Sequence, residues 1–412
     1  MIYDALIIGA GPSGATAALL LAQAGWSVAI VEKTDFPRRK VCGEFVSATN
    51  LPLLQQIGLA DTFLKAAGPD VQRVGIFARD DTIVSRLPEG LPSAQCGRAL
   101  RRDHLDALLL DRALQAGVQR WQPWTVREVH AAKNGYRCTI TADRRSEELS
   151  AHVVIAAHGS WERSAIFVPR KLHEPSDLLA FKARFIDCEL PAGLMPLLVF
   201  PGGYGGMVAS DAGRVTLSFC IRRDQLQQCR ERAPRAAAHA ALRHIKDSCA
   251  GVRDAMKHAR IDGAWLSAGP IRPGIRSCYT HGVFRIGNAA GEAHPIVAEG
   301  ISMAMQSAWL LCRHLIAHQS SMADERSRAS VGRDYSKGWT TSFAGRIRAA
   351  SLFARLMMRT RTADPATALL RIFPDMLTFA ARLSGKTRFV VTAPHQARAP
   401  SVALPTRNEG YS

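Results

Sequence analysis

Nine cysteines are scattered along the 412 residues, and no two of them form a C-x-x-C pair. This argues against a disulfide framework or a zinc site and predicts a reducing, cytoplasmic setting. No apolar run reaches the roughly 18 residues that a membrane-spanning helix needs, so none is expected. No basic residue precedes Lys33, so no charged segment leads into the apolar stretch at 15–22, and no secretory signal is expected. Charged residues make up only 21% of the chain against 47% hydrophobic, which excludes a disordered polymer and leaves enough apolar material for two or three domains. A G-x-S-x-G elbow is missing, as is any metal-ligand cluster, so serine-hydrolase and metal chemistry are not expected. Acidic residues are scarce: 35 Asp and Glu stand against 53 Lys and Arg, a formal charge of +18. Such a surplus attracts anions: a phosphorylated cofactor, an acyl carrier, an anionic membrane surface or nucleic acid. No basic-aromatic RNA-binding motif or recognition helix accompanies it, so nucleic acid is not an expected partner.

The N-terminus carries the most information. Asp4 to Ile8 form a short apolar strand that runs into Gly9-Ala10-Gly11-Pro12-Ser13-Gly14, after which Ala15 to Ala24 read as a helix ending at Gly25. A second strand, Ser27 to Val31, finishes at Glu32, with Lys33 following. In this strand–turn–helix context Gly9 permits the tight turn, Gly11 lets the backbone approach a pyrophosphate, and Gly14 lets the helix pack close to the strand. The helix N-terminus, where Pro12 and Ser13 lie, offers unpaired N–H groups and partial positive charge to phosphates. Glu32 is placed to accept from ribose hydroxyls. The motif serves NAD and FAD alike.

A second constellation discriminates between them. Gly282 to Ile286 read as a strand, followed by Gly287-Asn288-Ala289-Ala290-Gly291, His294-Pro295, Glu299-Gly300-Ile301 and a helix to about Arg313. Arg102-Asp103-His104-Leu105-Asp106 opens another helix, ending near Gly117, and Val153 to Ala157 lead as a strand into His158-Gly159. Taken in chain order with the N-terminal glycine turn, these make four segments that resemble the FAD motifs of flavoproteins of the geranylgeranyl reductase and aromatic-ring hydroxylase superfamily. The resemblance implies FAD as cofactor, with Arg102 against it. The family's usual aspartates are replaced by Asn288 and His158; an asparagine still offers a donor and an acceptor to the ribityl chain.

In geranylgeranyl-reductase-like flavoproteins the loop after the second strand carries a C-G pair along the isoalloxazine ring, and Cys42-Gly43 stand at that place. Gly43 then allows close backbone approach to the ring. Cys42 is then a small residue packed beside the cofactor, tuning the cavity or touching substrate, or alternatively a nucleophile if its thiol pKa is lowered by Arg38, Arg39 and Lys40. Those cations, Arg39 among them, neutralise phosphate, and Glu44 is a candidate proton-handling carboxylate. No second GxGxxG occurs, so any NAD(P)H acts as a transient electron donor. The W-x-W-x-I-P signature of flavin halogenases is absent, which disfavours halogenation. Ser384-Gly385-Lys386-Thr387 mimics the end of a phosphate-binding loop but lacks the glycine that should begin it.

The middle of the chain is expected to carry the substrate. Phe181–Phe185, Leu197–Phe200, Gly206–Ala209 and Val215–Ile221 read as strands, residues 224–258 as basic helices, and Trp265–Ile275 as a return to the sheet. Pro201-Gly202-Gly203-Tyr204-Gly205 resembles a turn of geranylgeranyl reductases. Beyond Ser330 the pattern turns to arginine-rich helices, in which Leu352, Phe353, Leu356 and Met357 share an apolar face flanked by Arg348, Arg355 and Arg359. The predicted fold is α/β: a Rossmann-like FAD-binding domain, discontinuous in sequence (1–70, 96–165, 276–325), a strand-rich α+β substrate domain (71–95, 166–275), C-terminal helices (326–390) and a flexible tail (391–412). The expected activity is that of an FAD-dependent reductase or dehydrogenase acting on a small apolar substrate, isoprenoid, polyketide or carrier-bound. The alternative is an aromatic hydroxylase, a monooxygenase using NAD(P)H and oxygen. These C-terminal helices are expected first to form a lid or brace packed on the core, with a peripheral membrane-surface contact through their basic faces as the second reading.

Overall fold

The computed structural model describes residues 2–87, 96–160, 173–232, 236–386 and 390–391; the tail expected from residue 391 onward thus lies, past Val391, outside the described residues. The apolar run Ile2–Ile8 sits inside a sheet, paired in parallel with Val28–Val31 on one side and with the long strand Arg145–Ala156 on the other. Such near-continuous apolar strands suit a sheet covered on both faces. Val283–Arg285 extends it in parallel beyond Arg145–Ala156, and Gln119–Trp121 closes the opposite edge. Ala5 and Ile7 point to the helices Pro12–Gln23 and Gly300–Ala317, while Leu6 and Ile8 point to the hairpin strands Thr125–Ala132 and Gly135–Ala142. That alternation is the period-two geometry of a strand with two buried faces.

The first helix spans Pro12–Gln23 and so begins three residues earlier than the expected Ala15. Gly11 caps it with an extended backbone, and Pro12 takes the first helical position, where its missing N–H costs nothing and its fixed φ is already helical. The strands Thr125–Ala132, Arg73–Ala78 and Asp81–Arg86 escaped the sequence reading. In the first of these Arg127, Glu128 and His130 face solvent, so the apolar period is nearly erased.

A second sheet runs in the order 260–261, 178–186, 215–222, 203–209, 194–200, 73–78, 81–86, with Leu266–Ile271 also pairing with Leu178–Ile186. Its pairs are antiparallel except Leu194–Phe200 with Arg73–Ala78. The helices Arg223–Arg232 and Ala237–Ser248 cover one face, burying Leu226, Ala241 and Ile245 against Phe200 and Phe219. The helices Gly345–Met357, Thr360–Ile372 and Asp375–Leu383 lie on the other, where Ala354, Met357, Leu370 and Leu377 meet Ile76, Val199 and Tyr204. The four-residue apolar face expected at 352–357 is therefore split: Met357 is buried and Phe353 half-buried toward the sheet, while Leu352 and Leu356 are exposed. Among the described residues no helix is long and apolar enough to cross a membrane.

Candidate functional site

The glycine-rich turn is built by close approach. Gly9 has φ +102°, and a Cβ there would lie 2.7 Å from the Ala157 carbonyl oxygen. A Cβ on Gly14 would lie 1.9 Å from the Gly9 oxygen, so helix and strand touch at that point. Gly11 differs: a Cβ there would meet only the Nη2 atoms of Arg38 and Arg102, each at 3.8 Å. The turn thus presents an open glycine floor at a helix N-terminus with two guanidinium groups above it, a cradle suited to a pyrophosphate.

The surrounding side chains hold those cations in place. The Arg102 guanidinium donates twice to the Asp106 carboxylate, at 2.7 Å each, one helical turn away. Burial opposes its charge, but Asp106 more than offsets this and raises the pKa above the ordinary value. Arg38 donates to Glu32 Oε1 at 2.7 Å and lies over the Phe36 ring at 4.6 Å. Glu32 Oε2 accepts from the Ala10 N–H at 2.9 Å, so the carboxylate ending the second strand is tied back to the glycine turn. The Lys40 carbonyl accepts from Lys182 Nζ at 3.3 Å, while its ammonium has no hydrogen-bond or ion-pair partner among the described residues; burial, and then the neighbouring Arg38 cation, pull that ammonium down to about 8.

The second glycine segment lies against the first. A Cβ on Gly287, which has φ +58°, would fall 2.6 Å from Ser13 Oγ. The Gly287 N–H donates to Ser307 Oγ at 2.7 Å, and Asn288 Nδ2 donates to Ser160 Oγ at 2.8 Å. Glu292, buried beside them, has its pKa raised by burial against the opposing pull of Arg276.

The Cys42-Gly43-Glu44 loop is pinned to the second sheet. Glu44 is buried with φ +66°. Its Oε1 accepts from the Arg102 N–H at 3.0 Å and from Lys182 Nζ, and its Oε2 accepts from Thr216 Oγ1 at 2.6 Å. Half-buried Cys42 accepts from the Glu44 N–H at 3.4 Å, and a Cβ on Gly43 would lie 3.4 Å from Ser218 Oγ. Lys182 and Thr216 were missed by sequence reasoning. The available signal was a lysine in the middle of the apolar strand Leu178–Ile186, where a buried cation demands a carboxylate.

One cavity of about 490 Å³ joins these groups. Gly9, Gly11, Pro12, Ser13, Glu32, Lys33, Cys42, Gly43, Glu44, Arg102, Gly159, Asn288, Pro295, Gly300 and Ile301 all line it. Five expected residues stand off it. Gly14 is the helix–strand contact, Gly287 and Gly291 back onto Ser13 and Trp339, and Ala289 is buried in the short helical turn Gly287–Ala289. Arg39 reaches away to the Ala264 carbonyl at 3.1 Å. Beyond the Cys42 loop the cavity wall becomes apolar, with Ile76, Leu197, Met207 and Phe219 from the second sheet and Phe353 and Leu377 from the C-terminal helices. Tyr204 borders this region, its hydroxyl 2.9 Å from His294 Nδ1. Burial drives the Tyr204 phenol well above its usual range, and burial followed by the Arg355 cation lowers His294 to about 4. Both are neutral near pH 7.

Known proteins resemble this chain in sequence and in fold. Over 380 residues the chain is 24% identical to digeranylgeranylglycerophospholipid reductase 2 of Methanopyrus kandleri, covering 83% of each protein. Over 196 residues, 46% of this chain and 47% of the other, it is 27% identical to a 1H-pyrrole-2-carbonyl peptidyl-carrier protein brominase of Pseudoalteromonas luteoviolacea. A flavin-dependent brominase of known structure, 20% identical in sequence, superposes over 94% of both chains with a TM-score of 0.74, which shows a common fold. Residues 2–330 match the FAD binding domain family. By that match over most of its length the chain belongs to the FAD binding domain family and is an FAD-dependent oxidoreductase.

Proposed function

We propose that the protein is a reductase or dehydrogenase acting on an apolar substrate, isoprenoid, polyketide or carrier-bound. The observation that carries this is the continuity of one cavity from the phosphate-binding turn, past Cys42-Gly43, into a wall of aliphatic and aromatic side chains. Bound FAD supplies hydride-transfer chemistry at that junction. Gly9, Gly11 and the helix beginning at Pro12 receive its pyrophosphate, Arg38 and Arg102 neutralise it, Glu32 accepts from the ribose, and Asn288 meets the polyol chain.

Glu44 acts as a positioning residue. Three donors already hold its carboxylate, and together they fix the angle at which the Cys42-Gly43 backbone meets the cavity. Cys42 serves as a small contact at the junction of polar and apolar walls. The second sheet and the C-terminal helices form the substrate-facing layer, corresponding to the division at residues 71–95 and 166–275 followed by 326–390. The apolar end excludes water from the reacting carbon, and Tyr204, kept protonated by burial, borders it as a neutral hydroxyl. NADH or NADPH visits as electron donor, with no second glycine-rich motif to retain it.

The test is anaerobic turnover. Reduced holoprotein is mixed with polyprenyl lipids and acyl-carrier thioesters, and products are read by mass spectrometry. A product heavier by two hydrogens supports the reading. A product that appears only with oxygen and carries an oxygen atom from it, or one that carries a halogen, overturns it.

A further inference from the structure

The helices Thr360–Ile372 and Asp375–Leu383 each carry two apolar stripes rather than one. On the inner stripes Ala363, Thr367 and Leu370 and then Leu377 and Ala381 are buried against the second sheet. On the outer stripes Leu369, Ile372, Phe373, Met376, Phe379 and Leu383 are exposed, with Ile372 at 67% and Phe379 at 60%. The spacing i, i+3, i+4 in the first helix and i, i+3, i+7 in the second puts each outer set on a single face. Phe373 and Met376 flank the corner between the helices, so the two faces join through the chain itself.

Scattered exposed apolar residues need no explanation, but six in two consecutive short helices form a patch that water disfavours. The charge around it is predominantly positive. From Gly345 to Lys386 the sequence has eight lysines and arginines against two aspartates. Arg348, Arg355, Arg359, Arg361 and Arg382 are exposed and form no ion pair with another described residue. Leu383 is 56% exposed and also lines the cavity, so the patch and the cavity share this side chain.

We propose that this face docks the protein on an anionic lipid bilayer, the outer apolar side chains entering the interface and the arginines meeting the headgroups. An amphipathic surface of this composition gains from both apolar burial and attraction to acidic lipid. The docking places Leu383, which is both exposed and cavity-lining, against the membrane, so that an apolar substrate reaches the site without crossing water. The proposal does not depend on which reaction follows.

The test is flotation of the FAD-loaded full chain with vesicles of phosphatidylcholine alone or mixed with phosphatidylglycerol. Binding to the mixed vesicles, weakened by salt, is expected. Ile372→Ser, Phe373→Ser and Phe379→Ser combined are expected to lower the partition coefficient by more than about tenfold while FAD content and melting temperature stay at wild-type values. Arg359→Gln, Arg361→Gln and Arg382→Gln combined are expected to abolish the preference for phosphatidylglycerol. Absence of binding to either vesicle, or equal binding by wild type and variants, overturns the proposal. So does a self-associated wild type that the serine variant converts to monomer in sedimentation velocity, because the patch would then belong to a second copy of the chain.

Discussion

Gly11 and Gly14 occupy one turn yet should fail in different ways when each becomes alanine. At Gly14 the new methyl would stand 1.9 Å from the Gly9 oxygen and 3.1 Å from the Ala157 side chain, neither of which can rotate away. Helix and strand must part, and overpacking of this kind costs roughly 2–3 kcal/mol or more. At Gly11 the nearest atoms are two guanidinium tips at 3.8 Å, an ordinary contact, and the backbone there is extended. Alanine caps a helix less well than glycine but restricts the unfolded chain, so the apoprotein should stay within about 0.5 kcal/mol of wild type. The methyl nonetheless fills the floor on which the pyrophosphate rests, and FAD affinity should fall by at least about a hundredfold, ~2.7 kcal/mol. Melting of the FAD-stripped protein followed by circular dichroism, paired with FAD titration by fluorescence quenching, separates the two effects. Gly14→Ala should melt roughly 4 °C lower or more, and Gly11→Ala should melt normally but fail to quench. Equal destabilisation by both substitutions, or wild-type FAD affinity in Gly11→Ala, would refute this division of roles.

Two further perturbations address the polar groups around the cavity. The folded pKa of His294, about 4, lies below its ordinary value of 6.5, so the unfolded chain binds the extra proton between those limits. The stabilisation is complete above pH 6.5 and is lost as the pH falls toward 4, amounting to about 3 kcal/mol. His294→Gln should flatten the melting temperature across that window; an unchanged slope would exclude His294 as its source. Lys182→Met strips the buried Glu44 carboxylate of its counter-charge and should cost about 3–5 kcal/mol, with recovery when Glu44→Gln is added. A double-mutant cycle on melting temperature reads the pair, and additive losses would show that the two residues act independently.

The parts legible in the sequence are those whose physics is local. The turn from Gly9 to Gly14 and the Glu32 carboxylate declare themselves because each glycine and its neighbours are consecutive, and Asp4–Ile8 because a run of apolar residues needs a covered sheet. The partners of Glu44 were not legible. Lys182 and Thr216 lie 138 and 172 residues away, brought in by strand register that no local pattern encodes. Likewise Leu352 and Leu356 looked like core because a helical face was assumed to have one neighbour, whereas this helix has a cavity wall on one side and solvent on the other. Arg39, one of three consecutive cations in the sequence, turned out to face Ala264 instead of the glycine turn, because adjacent side chains leave an extended loop in different directions.

The strand Arg145–Ala156 accepts Ile2–Ile8 along one edge and Val283–Arg285 along the other, so the sheet beneath the glycine turn is assembled from the beginning, the middle and the last third of the chain. On the ribosome, the first strand and helix therefore wait, unsealed, until the segment through Ile301 has emerged. A nascent chain stopped before that point has the glycine turn without the opposite wall, so flavin capture is expected only after translation has passed Ile301 of the 412 residues.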